Sequence, residues 1–320
     1  MAGLSRRIRV LDLDGSITRQ TRLMATIAGR LDLVDLRELG PSIRYLATRG
    51  AMRRLEAALD PAARRELTLI GSGDFHHVTA ALLRRFREPL SVVVFDTHPD
   101  WDRTSPWPCC GSWVLEALAM PNVRQIVMIG LGECDLRGWH VNVGRVNELE
   151  AGRVAFYPYD HPTSCVFGRY RSRTHCAAFV PRAGYSEVQW NTVAANDLDT
   201  LIEEVIARLP TSQIYVSVDK DCLRGEAAIT NWEMGSLTVE EVTGAIRLLL
   251  DRKEVIGVDI TGEYSPIEIR NVWFRALSAW DHPPRPAPSP VELERNEATN
   301  LALLSAFGLA DARELPNAIC

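Results

Sequence analysis

Strand-like and helix-like segments alternate along this 320-residue chain, and that rhythm predicts an α/β fold: one doubly wound parallel sheet with helices on both faces, three layers in all. Two observations carry the prediction. Short apolar runs of the kind that buried parallel strands use recur through most of the length, and amphipathic helical patterns lie between them. The apolar content of 46% is enough for an extensive core. Neither an internal repeat nor a low-complexity tract interrupts the pattern, so residues 1–320 are read as a single α/β domain.

The runs fall at residues 9–13, 67–70, 91–95, 125–129, 154–157, 214–218 and 255–258, and each is dominated by Val, Ile, Leu or Phe. Residues 198–209 repeat apolar positions at helical spacing. Thr238-Val239-Glu240-Glu241 places Thr and Glu as a capping box for a helix running towards Leu250. Residues 281–290 hold five prolines and read as a linker ahead of a terminal helix over 293–307.

A formal net charge of −5 and a pI near 5.9 give no basic footprint for nucleic acid or an anionic membrane, so neither is an expected partner. No apolar run approaches the roughly 18 residues that would span a bilayer. Seven cysteines occur without a regular framework, and Met1 leads into Ser5-Arg6-Arg7-Ile8-Arg9 rather than an apolar signal region. A cytoplasmic location with reduced thiols is the expectation.

Chemistry concentrates after two strands. In Asp96-Thr97-His98-Pro99-Asp100, an extended backbone would put Asp96, His98 and Asp100 on one face. The same alternation pairs Asp219 with Asp221 after residues 214–218. Paired carboxylates at the ends of apolar strands need cations. Four negative charges are offset by two divalent ions, and an oxygen-rich set with two imidazoles suits Mn²⁺ better than thiolate-preferring metals. The alternative is that each aspartate is a cap or a solvated loop residue.

Gly71-Ser72-Gly73-Asp74-Phe75-His76-His77, Asp96-Thr97-His98-Pro99-Asp100, Ser217-Val218-Asp219-Lys220-Asp221 and Glu263-Tyr264-Ser265-Pro266 resemble, in order, the four signature segments of the arginase/agmatinase (ureohydrolase) family. The resemblance covers about residues 67–266 and implies a hydrolase of guanidino or amidine C–N bonds. It implies that His76, Asp96, Asp100 and Asp219 hold one Mn²⁺, and that Asp96, His98, Asp219 and Asp221 hold a second, with Asp96 and Asp219 bridging. Two such ions roughly 4 Å apart make a shared water a hydroxide nucleophile near neutral pH. The family usually has Gly-Gly-Asp-His where this chain has Gly73-Asp74-Phe75-His76, so the ligand is His76 or His77. His76 is preferred because the helix over residues 78–83 then follows, with His77 at its start.

The resemblance also implies that Glu263 receives the substrate's guanidinium, since a carboxylate accepts two bonds from that planar fork. Asp135 would contact the far amino group of the substrate. Asp100, Glu263 and Cys110 form the implied catalytic set. At Cys110 the family carries a proton-shuttling histidine, so this thiol is either a substitute acid or an inert buried cysteine. Trp101, Trp107 and Trp113 flank the region as core or as pocket wall. Arg169, Arg171 and Arg173 alternate as an anion-binding set or, more simply, a solvated loop. A small guanidino or amidine substrate is the expected ligand, and a trimer or hexamer the implied assembly.

Two other functions compete. The departure at Cys110 permits a metal-bound scaffold without catalysis. Val10-Leu11-Asp12-Leu13-Asp14-Gly15-Ser16 resembles the first motif of haloacid-dehalogenase-type phosphatases, although the lysine such enzymes need would have to be Lys220, between two aspartates. Histone-deacetylase-like amide hydrolysis is further off, because those enzymes use one zinc and a different histidine pair.

Overall fold

A computed structural model describes residues 4–59, 65–282 and 287–310. Eleven strands are present among them: β1 (Ile8–Asp12), β2 (Leu31–Asp35), β3 (Leu67–Ser72), β4 (Leu90–Phe95), β5 (Val123–Leu131), β6 (Val154–Pro158), β7 (Ser164–Phe167), β8 (Ala177–Pro181), β9 (Tyr185–Trp190), β10 (Gln213–Asp219) and β11 (Glu254–Glu263). Eight build one parallel sheet in the order β2-β1-β3-β11-β10-β4-β5-β6, flanked by helices. Every residue of β3 and β4 is buried, which is why these strands read as unbroken apolar runs.

The sheet therefore matches the predicted fold class and contains all seven predicted strands. Two features were not expected. Edge strand β2, Leu-Asp-Leu-Val-Asp, carries two aspartates and has no fully buried residue, so it lacks the apolar run that marks the others. Strands β7, β9 and β8 form a separate antiparallel sheet after β6, with alternating rather than continuous burial.

Helix boundaries follow local chemistry. Leu198–Arg208 starts at Asp197, whose side chain accepts from the Thr200 N–H, and Val239–Arg252 has the Thr238/Glu241 capping box in both directions. The last helix runs Pro290–Ala306 and starts three residues earlier than expected, because Ser289 and Glu292 form a second capping box and Pro290 fits the first turn. Of the proline-rich segment 281–290, residues 283–286 lie outside the described residues. Asp281 closes the helix Val272–Asp281. One continuous apolar core extends from Ile8 to Leu309. No helix among the described residues is long and apolar enough to cross a membrane.

Register fixes the site. Val218 pairs with Phe95, Asp219 with Thr261, and Thr261 with Gly71, so the carboxyl ends of β4, β10, β11 and β3 lie side by side. This is where open parallel sheets place ligands.

Candidate metal centre

Strand β4 ends at Phe95, and the next five residues are a loop in which Asp100 adopts a left-handed φ of 43°. Asp96, His98 and Asp100 thus converge through a turn, where an extended backbone had been expected. The turn is tied by the His98 N–H donating to Asp96 Oδ1 at 2.7 Å. After β10, Asp219 caps a short 3₁₀ turn by accepting from the Asp221 N–H at 3.0 Å, so these two carboxylates also face one space.

His76 enters from β3 through the turn Gly73–Phe75. Its Nδ1 lies 3.0 Å from Asp100 Oδ2, 3.1 Å from Asp96 Oδ2 and 3.5 Å from Asp219 Oδ2. His98 Nδ1 lies 2.9 Å from Asp221 Oδ2 and 3.7 Å from Asp96 Oδ1. Two groups with metal-ligating atoms follow, His76/Asp96/Asp100 and Asp96/His98/Asp221, and Asp96 belongs to both. Asp219 falls outside these tight groups but stays within reach of His76. His77 stands at the N-cap position of the helix Val78–Leu83 without a side-chain cap bond, is fully buried, and is pushed down to about 4 by burial and then by the charge on His76.

The electrostatics of the cluster follow from its burial and crowding. Burial, then the charges of Asp221 and Asp100, raise Asp96 well above the carboxylate range; burial and Asp221 push Asp219 up to about 7. Burial alone would lower His76, yet the adjacent Asp100 and Asp96 carboxylates hold it well above an ordinary imidazole. His98 is likewise raised against the effect of burial, chiefly by Asp221. Asp96 Oδ2 is buried and accepts no well-directed hydrogen bond. Four clustered carboxylates facing two imidazoles fit the donor set of two divalent, oxygen-preferring cations.

Several supporting residues were not singled out from sequence, or not in these roles. His76 Nε2 meets Ser217 Oγ at 2.9 Å, and Ser217 donates to Asp259 Oδ1 at 2.6 Å, which orients the ring with Nδ1 towards the carboxylates. The Trp113 Nε1–H donates to Asp100 Oδ2 at 2.6 Å. Polar residues inside apolar strands, Ser217 and Asp259, were the signal for the first contact. Nothing in the spacing marks the second. Asp74 joins Arg44 Nε at 2.7 Å, Trp232 Nε1 at 3.0 Å and His282 Nε2 at 3.0 Å, and the Trp232 ring packs edge-on to His98. Burial opposes its ionisation, but the Arg44 guanidinium holds its carboxyl well below the usual range.

Glu263 is a correction. Its side chain is buried away from the cleft, with Oε1 taking Lys220 Nζ and Asn300 Nδ2 and Oε2 taking Asn296 Nδ2, so it is not placed to receive a guanidinium. The cause lies in the backbone. The register of β11 against β3 shifts between Thr261 and Glu263, and Gly262, with φ +87°, is the residue that faces the centre: a Cβ there would lie 2.4 Å from Asp219 Oδ1. Glu263 thus stands outside the cleft lining, where the expected substrate-binding and catalytic roles would place it.

A cleft of about 660 Å³ opens over the centre, and Asp135 and Cys110 both line it. Cys110 is buried, and burial pushes its thiol well up. Burial also raises Asp135, against the opposing charges of His98 and His140. Trp101 packs edge-on against Phe156 in the core, while Trp107 is partly exposed against Phe274. Arg169, Arg171 and Arg173 are all exposed and line no part of the cleft. Asp12 and Asp14 serve as turn and loop anchors: Asp12 accepts from the Gly15 N–H, and Asp14 Oδ2 accepts from Ser265 Oγ at 2.6 Å. With Lys220 committed to Glu263 and Asn300, no phosphatase site is assembled there.

Fold and site together define an α/β protein whose carboxylate–imidazole centre is built on the carboxyl ends of adjacent parallel strands. Similar solved structures share the fold. An arginase from Bacillus caldovelox superposes with a TM-score of 0.56 at 17% identity, covering 98% of this chain and all of that one. Formimidoylglutamase from Bacillus subtilis gives 0.55 at 14% identity (95% and 87% covered), and proclavaminate amidino hydrolase from Streptomyces clavuligerus gives 0.54 at 14% (96% and 94% covered). An uncharacterized protein of Thermotoga maritima is 24% identical over 300 residues, covering 94% of this chain and 89% of its own length. The Arginase family model matches residues 7–271, and the chain belongs to the Arginase family.

Proposed function

We propose that this protein hydrolyses a C–N bond of a guanidino compound or other linear amidine, using two Mn²⁺ ions. The observation that carries the reading is the convergence of Asp96, Asp100, Asp219 and Asp221 with His76 and His98 at the base of the cleft, with Asp96 shared between two ligand groups. His76, Asp96, Asp100 and Asp219 would hold one ion; Asp96, His98, Asp219 and Asp221 would hold the other. Two dications held by these residues would supply Lewis acidity, lowering the pKa of water at the centre towards neutrality.

The chain's own groups do the rest. Trp113 fixes the Asp100 carboxylate, and the Ser217–Asp259 pair fixes His76, so the ligand atoms are oriented before a substrate arrives. Cys110, its thiol kept protonated by burial, is the group we assign to deliver a proton to the departing nitrogen. Asp135 would face the substrate's far end. The test is urea or ammonia release by Mn²⁺-loaded protein across a panel of guanidino compounds and amidines, with Asp219→Ala as control. Turnover that disappears in the variant is expected. Full metal occupancy with no product from any amidine would instead favour a metal-bound scaffold.

A further inference from the structure

The helix Val272–Asp281 stands at the mouth of the cleft, where its Leu277 and Asp281 line the wall. It is thinly attached. Only Phe274 and Ser278 are buried, and Phe274 packs with Leu46, Cys109 and Ile269 in a small cluster separate from the main core. At about 100° per residue, Ala279, Val272, Ala276, Trp280, Trp273 and Leu277 follow one another around the outer side as one apolar arc. Trp280 is 89% exposed, Trp273 78%, Val272 60% and Leu277 48%. The two charged residues of the helix, Arg275 and Asp281, stand at the borders of the arc.

Two tryptophans this exposed present about 400 Å² between them, at roughly 150–250 Å² per aromatic side chain. With Val272, Leu277 and the adjoining Trp107, which packs on Phe274, the patch approaches the roughly 800 Å² per partner of a standard protein interface. Its chemistry selects the cover. Protein interfaces place aromatic residues at the centre and keep charge to the rim. A helix that lies on a lipid surface carries Lys and Arg along its polar side, and this one has Arg275 alone. The chain itself is poorly placed to cover the arc. Residues 283–286 are four residues tethered between His282 and Ala287, too few for six positions. Beyond Ala310 the chain leaves from the amino ends of the strands, since the Leu309 carbonyl accepts from Arg30 just before β2, whereas the helix stands at their carboxyl ends.

We propose that a second copy of this chain covers the arc, with the two Val272–Asp281 helices packed antiparallel across a twofold axis. Ala276 lies within the arc and is small enough to let the backbones approach, and an antiparallel pairing about it sets each Trp273 against the partner's Trp280. Leu277 belongs to both the arc and the cleft wall, so the contact borders the cleft of each copy. The inference is independent of the reaction that the metal centre performs.

Molar mass of the full chain, measured by light scattering across a concentration series, is the test. Trp273→Glu/Trp280→Glu places charge where both side chains are already exposed, and Ala276→Arg is a second, single change near the axis; circular dichroism and melting check that each variant folds. Each folded variant should show half the parent's molar mass at equal concentration, because an isologous contact joins copies in pairs whatever larger assembly those pairs enter. A parent at the monomer mass at micromolar concentration, or folded variants that keep the parent's mass, would overturn the inference. So would a monomeric parent that binds phosphatidylcholine vesicles through the arc and loses that binding in the variants, or one that pairs only after residues 311–320 are removed.

Discussion

A single 2.6 Å hydrogen bond from Trp113 Nε1 holds the Asp100 carboxylate against His76, and Trp113→Phe removes it while keeping most of the ring packing. Partners of metal ligands typically contribute about 10–100-fold in metal affinity. Trp113→Phe should therefore weaken Mn²⁺ binding by that order, read by competition with a chelating dye, with the fold preserved by circular dichroism. An unchanged affinity would reduce the tryptophan to packing. Cys110 bears on the proton rather than the metal. If its thiol supplies the leaving group's proton, Cys110→Ser should lower turnover by about 10²–10⁴-fold at full metal occupancy, and Cys110→His should restore part of it. Parent-like turnover in the serine variant would move that role to another acid. At this scale the sequence was informative where spacing carried the chemistry, as in Asp96-Thr97-His98-Pro99-Asp100 and Asp219-Lys220-Asp221. It was silent on Trp113, whose indole reaches a ligand only because the loop turns back at Asp100.

Among the elements, the end of β11 separates what a motif suggests from what a strand does. Glu263-Tyr264-Ser265-Pro266 reads as a substrate-facing segment, yet the irregularity at Gly262 turns Glu263 into a buried tie between Lys220 and the helix Pro290–Ala306. One residue of register decides which side chain faces a site, and register is set by pairing that local sequence does not display. Removing one partner of a buried, hydrogen-bonded ion pair costs about 3–5 kcal/mol. Glu263→Ala should accordingly lower the unfolding free energy of the metal-loaded protein by that order in urea titrations, while activity per folded molecule stays near the parent's. A selective collapse of activity at unchanged stability would return Glu263 to the site. The helices were easier to read, since Thr238 with Glu241 announces a helix start by local chemistry alone. The edge strand β2 and the small antiparallel sheet were hidden because half-exposed, charged strands carry no continuous apolar signal.

For the molecule as a whole, clustering the carboxylates couples folding, protons and metal. In the metal-free protein, burial and Asp221 push Asp219 up to about 7 from an ordinary 3.8, so the folded state keeps a proton that the unfolded chain has released. Its contribution to stability is therefore present below about pH 3.8 and is lost as pH rises through about 7, and Asp96 is raised in the same direction. Metal-free protein should lose thermal stability across that window. Mn²⁺ competes with those protons, so its affinity and the thermal stabilisation it confers should grow over the same range. Melting curves with and without Mn²⁺ between pH 5 and 8 would read both slopes; parallel curves would contradict the linkage. The alternation of strands and helices was legible because both periods are written in the chain, and it delivered the sheet whose carboxyl ends carry the centre.

The most direct test of the binuclear centre is the number of metal ions held per chain at saturating Mn²⁺, measured by elemental analysis after removal of free metal. Two ions per chain are predicted, falling to one or none in Asp96→Ala, because both ligand groups contain that residue. One ion or none in the parent protein, or an unchanged count in the variant, would contradict the account.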